Sequence, residues 1–175
     1  MNIQHAPTSI SPFDESNPRF ESERHCFIVY VGGEIFGLPV DRVQTIFQIE
    51  AVTPVPLGPP EVLGLVNLRG KIFTAVSLRQ RLRMPEVVPK KSRSAIGIEH
   101  RGENFALVVD ELGDVIVLDP EKHIEMPPHL NAQRANLTEA VYRLDNEILS
   151  LLDLNTVFDF QRWNRDDSLI AHGGK

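Results

Sequence analysis

The sequence predicts an all-β fold of two similar small barrels, because it repeats itself and because its apolar residues fall into many short strand-like runs. Gly33–Asp41 (GEIFGLPVD) recurs as Gly102–Asp110 (GENFALVVD), with six residue types in matching places. Leu68–Leu78 lines up with Leu144–Leu154 in the same way. Short strands at regular spacing, separated by Gly, Pro and Asn turns, are typical of small barrels. Two similar subdomains joined face to face would leave a groove at the seam between them.

The first half opens with a hairpin and continues into a segment with helical spacing. Cys26–Val31 is β-branched and aromatic, and Gly32-Gly33 supplies the positive φ angles of a tight turn. Glu34–Leu38 returns as the partner strand. Beyond Asp41, apolar residues recur at the period of an α-helix, which predicts a short helix with one apolar stripe. The stripe consists of Val40, Val43, Ile46 and Phe47.

A proline-rich loop and a second hairpin complete the first half. Four prolines between residues 54 and 60 exclude regular structure there. Residues 65–68 and 71–76 predict a hairpin around Arg69-Gly70, with Asn67 bonding the turn. Gly64 and Gly70 are expected to adopt unusual backbone angles. Residues 85–93 carry two prolines and a Lys-Lys pair, and so predict the connection between the halves.

The second half repeats the plan. Strands are predicted at 94–99, 105–109 and 115–118, followed by a hairpin of 137–144 with 147–152 around Asp145-Asn146. A short amphipathic helix with Leu154, Val157 and Phe158 ends the body. The domain is therefore predicted to span residues 25–160, with a first barrel at about 25–85 and a second at about 92–160. Polar tails are predicted at 1–24 and 161–175.

Composition predicts a cytoplasmic protein. With 175 residues, of which 42% are hydrophobic, the chain can bury a core without disulfides. The single cysteine, Cys26, lies in an apolar run and predicts a small buried side chain in a reducing compartment. The first residues lack the pattern of a signal peptide, and no apolar run approaches the length of a membrane span.

The net charge of −6 is unevenly distributed. Residues 69–93 carry eight Lys or Arg against one acid, and residues 99–125 carry eight acids against two bases. Two solvated faces are one interpretation, and partners that meet head to tail, basic part to acidic part, are the other. A nucleic-acid-binding barrel is a weaker alternative, because the chain is acidic and its basic stretch lacks interleaved surface aromatics.

An enzyme would need a catalytic constellation, and the sequence offers none that fits. The six histidines are scattered, and the group His123, Glu125 and His129 follows no metal-ligand spacing. Gly32-Gly33 is not followed by a helix that could receive a phosphate. No metal, no cofactor and no catalytic residue is therefore expected.

The segment Gly64–Phe73 (GLVNLRGKIF) resembles the signature of the CheW family of chemotaxis coupling proteins. Leu38–Val43 (LPVDRV), the proline-rich loop, Val109–Val115 (VDELGDV) and Leu151–Leu154 (LLDL) follow the order of that family, so that the resemblance covers about residues 25–160. It implies two five-stranded barrels, with an exchange of strands at the join left open, and no enzymatic activity.

The resemblance also implies partners. Members of the family bridge the cytoplasmic tip of a methyl-accepting chemoreceptor and the regulatory domain of a histidine kinase, and they reach the membrane receptor arrays through these partners without inserting into the bilayer. Similar adaptors serve receptor-kinase cascades that control pili, surface motility or second-messenger output, and nothing in the sequence separates these from flagellar chemotaxis.

The resemblance implies binding residues as well. Arg69 would offer planar, multi-donor hydrogen bonding to a receptor helix, or would instead cap its own loop carbonyls. Thr45 stands where members usually carry Glu, which puts the identity of the receptor in doubt, and Ser77 replaces a helix-capping Asp. Core burial is the alternative role for the apolar positions. The implied receptor-binding residues are Val43, Thr45, Ile46, Gly64, Arg69 and Val115, and the implied kinase-binding residue is Leu130.

Overall fold

The structure is a computed structural model that describes residues 24–85, 87 and 93–160. The predicted tails, apart from Arg24, and most of the predicted connection at 85–93 lie outside the described residues. The described part is mostly β. Its strands are β1 (His25–Val31), β2 (Glu34–Pro39), β3 (Val43–Ile49), β4 (Val62–Leu68), β5 (Lys71–Ser77), β6 (Arg93–His100), β7 (Glu103–Val109), β8 (Glu111–Val117), β9 (His123–Ile124), β10 (Thr138–Leu144) and β11 (Glu147–Leu152). Its helices are α1 (Leu78–Arg81), α2 (Ala132–Asn136) and α3 (Leu154–Val157), with 3₁₀ turns at Val40–Arg42 and Pro120–Lys122.

The strands form two sheets that exchange hairpins between the halves of the chain. Sheet A has the order β8-β1-β2-β11-β10-β9, and sheet B has the order β3-β6-β7-β5-β4. The β1–β2 hairpin therefore lies among strands of the second half, and the β6–β7 hairpin lies among strands of the first half. The exchanged hairpins join through the parallel pairs β2–β11 and β5–β7. The predicted boundary between residues 85 and 92 divides the chain into its two repeats. It does not divide the two sheets, because each sheet contains strands from both repeats.

Each sheet curls around its own apolar interior. All five strands of sheet B contribute to one buried cluster, and Thr53, just beyond β3, bridges Leu65 of β4 through hydrogen bonds of 2.9 and 2.8 Å. In sheet A, β9 continues β8 and pairs with β10, around a second buried cluster. These contacts return the last strand of each sheet towards the first, consistent with the predicted barrels. We call the two curled sheets barrel A and barrel B.

A third cluster lies where the two barrels meet. It combines the alternate faces of β1 and β2 with those of β5, β6 and β7, for example Phe27, Leu38 and Leu107. Because successive side chains of a strand point to opposite faces, one face of each of these strands fills a barrel and the other fills this central cluster. The two barrels are thus joined through a shared core. Because the hairpins are exchanged, neither half of the chain completes a sheet alone.

The predicted hairpins are confirmed. β1 pairs with β2 around Gly32 and Gly33, which have φ angles of 62° and 79°. β4 pairs with β5, and β10 with β11, around the predicted turns. The helix after Ser77 is also confirmed, because the Ser77 hydroxyl accepts a hydrogen bond of 3.2 Å from the Gln80 amide. The closing helix is present as α3, capped by Asp153.

The predicted helix through Val43 and Phe47 is wrong. Only Val40–Arg42 forms a 3₁₀ turn, and Val43–Ile49 is strand β3, which pairs with β6. β-branched residues fill much of this segment and suit a pleated strand, and the ladder to β6 supplies the backbone hydrogen bonds that a helix would have supplied. Helix α2 was not predicted, although its N-cap, Asn131, accepts a hydrogen bond of 2.8 Å from the Gln133 amide.

Candidate functional site at the seam between the barrels

A β-bulge sets the direction of the first candidate residues, Val43 and Ile46. The register of β3 against β6 shifts by one residue between Val43 and Thr45. Residues three apart in a regular strand face opposite ways, but the extra residue returns Ile46 to the face of Val43. Val43 packs against the central cluster, and Ile46 is 40% exposed. The two side chains therefore share a face, as the helical spacing predicted. The cause is the bulge in a strand and not a helix.

Two further residues of β3, Thr45 and Phe47, point into barrel B. The Phe47 ring lies 5.4 Å from the Phe73 ring, between centroids, so the predicted single stripe is wrong for Phe47. The Thr45 methyl would lie 2.6 Å from a Cβ placed on Gly97, and so it uses the space that this glycine leaves. Thr45 is half-buried at the barrel interior and does not share the face of Ile46.

Strand β8 repeats this arrangement on the other barrel. Val115 of β8 pairs with Phe27 of β1, and the equivalent residue of the first half, Ile46 of β3, pairs with Ile96 of β6. Both β8 and β3 carry a register shift close to this pair. Val115, like Val43, packs against the central cluster. Because β3 and β8 are the terminal strands of their sheets, these side chains flank the seam from both sides.

Arg69 lies at the exposed turn between β4 and β5. It has a φ of 53°, followed by Gly70 with a φ of 84°, which are the angles of a two-residue hairpin turn. The Gly70 amide donates a hydrogen bond of 2.8 Å to Asn67 Oδ1, so Asn67 bonds the turn as predicted. Among the described residues, Arg69 itself makes no hydrogen bond or ion pair. Its guanidinium can therefore donate hydrogen bonds to a partner. No described contact shows the alternative, in which Arg69 caps its own loop carbonyls.

The Arg69 turn is tied to the bulge in β3. Lys71 Nζ donates a hydrogen bond of 3.2 Å to Gln44 Oε1, and Gln44 Nε2 donates one of 3.0 Å to Glu99 Oε2. Gln44 is the residue at which the register of β3 shifts. The structure thus brings Arg69 to the same end of barrel B as Val43 and Ile46.

Gly64 shapes this region from within. It is buried, with a φ of 141°, so the predicted unusual backbone angle is confirmed. A Cβ at this position would collide with the Thr53 carbonyl oxygen and lie 2.6 Å from Val52 Cγ1. The absence of a side chain allows the segment after β3 to cross β4 closely. Gly64 therefore positions its neighbours, and Val52 and Thr53 cover it.

Leu130 is not part of this group. It is half-buried in a turn in which its amide donates a hydrogen bond of 3.0 Å to the Pro127 carbonyl, just before α2. Helix α2 is anchored to sheet A through Arg134, whose guanidinium pairs with Glu34 and lies 4.8 Å from the Phe36 ring centroid. Leu130 is thus held at barrel A.

Part of the predicted charge asymmetry is neutralised within the molecule. Arg79, from the basic stretch, pairs with Asp110, from the acidic stretch. Arg81 is 2% exposed, and its Nη1 lies 3.5 Å from Glu61 Oε1. Two cations that a nucleic-acid surface at 79–93 would need are therefore engaged inside the protein, which weakens that alternative.

His100, one of the six scattered histidines, lies in an aromatic cluster. It ends β6 and is 6% exposed, and its ring centroid lies 5.6 Å from that of Phe158, with the two rings tilted against each other. Arg42 Nη2 lies 3.3 Å from His100 Nδ1, and the guanidinium can only donate, so Nδ1 is the acceptor. Burial, followed by the charges of Arg101 and Arg42, lowers the pKa of His100. A neutral His100 thus holds Arg42, the residue before Val43.

Other chemistry is limited in the part of the chain that the structure describes. Cys26 is fully buried, as predicted, and burial raises the pKa of its thiol to about 12. No group of three His, Cys, Asp or Glu side chains within residues 24–85 and 93–160 is placed to hold a metal ion. None of the described helices has the length and apolar character needed to cross a bilayer.

Comparisons with known proteins agree on one family. The family model for the CheW-like domain matches residues 25–162. The chemotaxis protein CheW of Bacillus subtilis (strain 168) is 30% identical over 133 residues, which cover 75% of this chain and 85% of the relative. The protein of the same name from Treponema pallidum (strain Nichols) is 24% identical over 132 residues, covering 73% and 78%.

A solved structure shares the fold. The scaffolding protein TtCheW from Thermoanaerobacter tengcongensis superposes with a TM-score of 0.70 at 24% sequence identity, covering 79% of this chain and 94% of the other. The fold described above therefore has a counterpart of known structure.

Proposed function

This chain belongs to the family of the CheW-like domain, and from that premise we propose that it is a non-enzymatic adaptor that couples transmembrane chemoreceptors to a histidine autokinase in bacterial chemotaxis. The relatives named chemotaxis protein CheW, among them one that is 30% identical, support this function. Residues 25–160 would act as one domain, because each sheet needs strands from both halves. The adaptor would reach membrane receptor arrays through its partners.

The observation that carries the proposal is the set of apolar side chains along the seam, with an unbonded guanidinium at one end. Val43 and Val115 border the central cluster from opposite sheets, and Ile46 is exposed on the same face as Val43. An amphipathic helix from a receptor tip could lay its apolar face on this strip. Arg69 would then donate hydrogen bonds to carboxylate or carbonyl oxygens of that helix.

The remaining implied residues have different roles in the proposal. Gly64 would act indirectly, by holding Val52 and Thr53 close to β4. Thr45 would influence which receptor is accepted, because members of the family usually carry Glu at this position and this chain does not. Leu130 would contribute to a separate kinase contact on barrel A.

The first experiment is calorimetric titration of the full chain with the regulatory domain of a histidine kinase encoded beside it, followed by receptor-tip fragments. Saturable one-to-one binding to both is the expected result. Arg69→Glu should abolish receptor-tip binding and leave kinase binding intact, whereas Arg101→Glu, at a matched exposed turn, should change neither. A folded kinase domain and a folded receptor tip that both fail to bind would contradict the proposal.

A further inference from the structure

His100 and Arg42 join the end of strand β6 to the start of strand β3, beside the candidate receptor surface. We propose that His100, acting through Arg42, positions the receptor-facing strand β3, and that uptake of a proton by His100 weakens receptor binding. The inference rests on the proposed receptor partner and adds a form of regulation to it. His100 would be a positioning residue, because it is buried and acts on the surface through its neighbours.

Two contacts connect His100 to Val43. Arg42 Nη2 donates a hydrogen bond of 3.3 Å to His100 Nδ1, and Arg42 is the residue immediately before Val43. The Val43 amide donates to the Val40 carbonyl and closes the 3₁₀ turn that contains Arg42. The His100 ring centroid lies 5.6 Å from that of Phe158, in the central cluster against which Val43 packs. A displacement of His100 or of Arg42 would therefore reach Val43 directly.

Glu99 extends this link to the Arg69 hairpin. Arg42 Nη2 also donates a hydrogen bond of 3.2 Å to the Glu99 carbonyl. Glu99 Oε2 accepts the hydrogen bond of 3.0 Å from Gln44, which in turn accepts the one from Lys71. The last two residues of β6 thus hold the start of β3 and, by way of Gln44, the hairpin that carries Arg69.

Uptake of a proton would break this arrangement at one atom. A protonated imidazole has no acceptor, and the Arg42 guanidinium has only donors, so a proton on His100 Nδ1 removes the hydrogen bond between them. It also places a positive charge beside the guanidinium in a buried site, where like charges repel more strongly than in water. Arg42 is half-buried and would keep its bond to the Glu99 carbonyl alone among those described, so its side chain could turn to solvent.

The surroundings of His100 disfavour the protonated form. Burial is the largest cause of its lowered pKa, followed by the charges of Arg101 in the β6–β7 turn and of Arg42. Asp153 before α3 and Glu103 of β7 face His100 and act in the opposite direction, but they do not outweigh the other causes. Asp153 already accepts two hydrogen bonds as the cap of α3. His100 is therefore neutral near neutral pH and takes up its proton in acid.

Calorimetric titration of the full chain with the receptor-tip fragment, at about pH 7.5 and about pH 5.5, tests the proposal. If only the chain with neutral His100 is competent to bind, the affinity falls with the fraction of molecules that remain neutral. Because the pKa of His100 lies below its ordinary value of about 6.5, the affinity should fall by up to about tenfold between these two pH values.

Two variants separate His100 from the other titrating groups, including those of the receptor tip. His100→Gln retains a neutral acceptor for Arg42, so it should bind at about pH 7.5 like the unsubstituted chain and should lose the fall in affinity. His123→Gln removes an exposed histidine from β9 and should keep the fall. Circular dichroism at both pH values establishes that each protein is folded.

A second measurement needs no variant. Binding and proton uptake are linked, so a receptor tip that prefers neutral His100 must lower the pKa of His100 when it binds. NMR titration of the His100 ring, in the full chain without and with a saturating receptor-tip fragment, should show a lower pKa in the complex. This measurement decides alone if His100→Gln does not fold.

An affinity that is equal at both pH values, a fall that persists in folded His100→Gln, or a pKa of His100 that is unchanged in the complex would each overturn the inference. Receptor binding without this pH dependence would leave the proposed function standing. A receptor tip that binds at neither pH value would contradict the proposed function and this inference with it.

Discussion

Replacing Arg69 by Asn should preserve or raise stability while removing receptor binding. Arg69 has a φ of 53°, in the left-handed region that costs a residue other than Gly, Asn or Asp about 1–2 kcal/mol. Asn before Gly70 would create the dipeptide that most favours a two-residue hairpin turn. Because Arg69 is exposed and has no polar contact among the described residues, the substitution breaks no described bond there.

The expected gain in the free energy of unfolding is therefore about 0–1 kcal/mol. For a domain of this size, each kcal/mol raises the melting temperature by about 2–4 °C. Differential scanning calorimetry measures this shift, and isothermal titration with a receptor-tip fragment measures the loss of binding. Arg69→Lys should lose most of the binding as well, because an ammonium lacks the planar fork of a guanidinium.

Arg101 provides a matched control. It has a φ of 52° in the β6–β7 turn and precedes Gly102, which has a φ of 80°. Arg101→Asn should give the same thermal gain without loss of receptor binding. A drop of several degrees for Arg69→Asn would show that Arg69 supports the fold. Equal binding losses for Arg69→Asn and Arg101→Asn would refute the assignment of the site.

Three further outcomes are expected. Gly64→Ala should destabilise the protein by about 3 kcal/mol, because its Cβ meets the Thr53 carbonyl at a φ of 141°, and an unchanged urea midpoint would contradict that close approach. Burial lowers the pKa of His100, so the unfolded chain binds more protons than the folded one, and stability should fall as pH drops below about 6.5. In urea midpoints measured at several values from about pH 7.5 to about pH 5.5, His100→Phe should remove the part of the pH dependence that comes from this group. An unchanged pH dependence in that variant would exclude His100 as its source. Thr45→Glu should tighten binding to a chemoreceptor tip of the usual kind, and an affinity equal to that of the unsubstituted chain would remove position 45 from receptor choice.

Turn and cap residues determined much of the local structure from the sequence alone. Gly32-Gly33 and Arg69-Gly70 set hairpin turns by backbone angles that neighbouring strands do not change. Ser77 and Asp153 cap the helices that follow them. The repeat predicted two similar barrels, because the same residues in the same order form similar turns and strands.

Long-range pairing decided the rest. The spacing of Val43 and Ile46 suits a helix and a bulged strand equally, because both place residues three apart on one face, and only the ladder to β6 selects the strand. The burial of His100 likewise depends on side chains that are distant in sequence. The sequence by itself determined the turns, the caps and the exposed Arg69. The tertiary structure alone decided the exchange of hairpins and the seam, because these arise where two halves of the chain share one core.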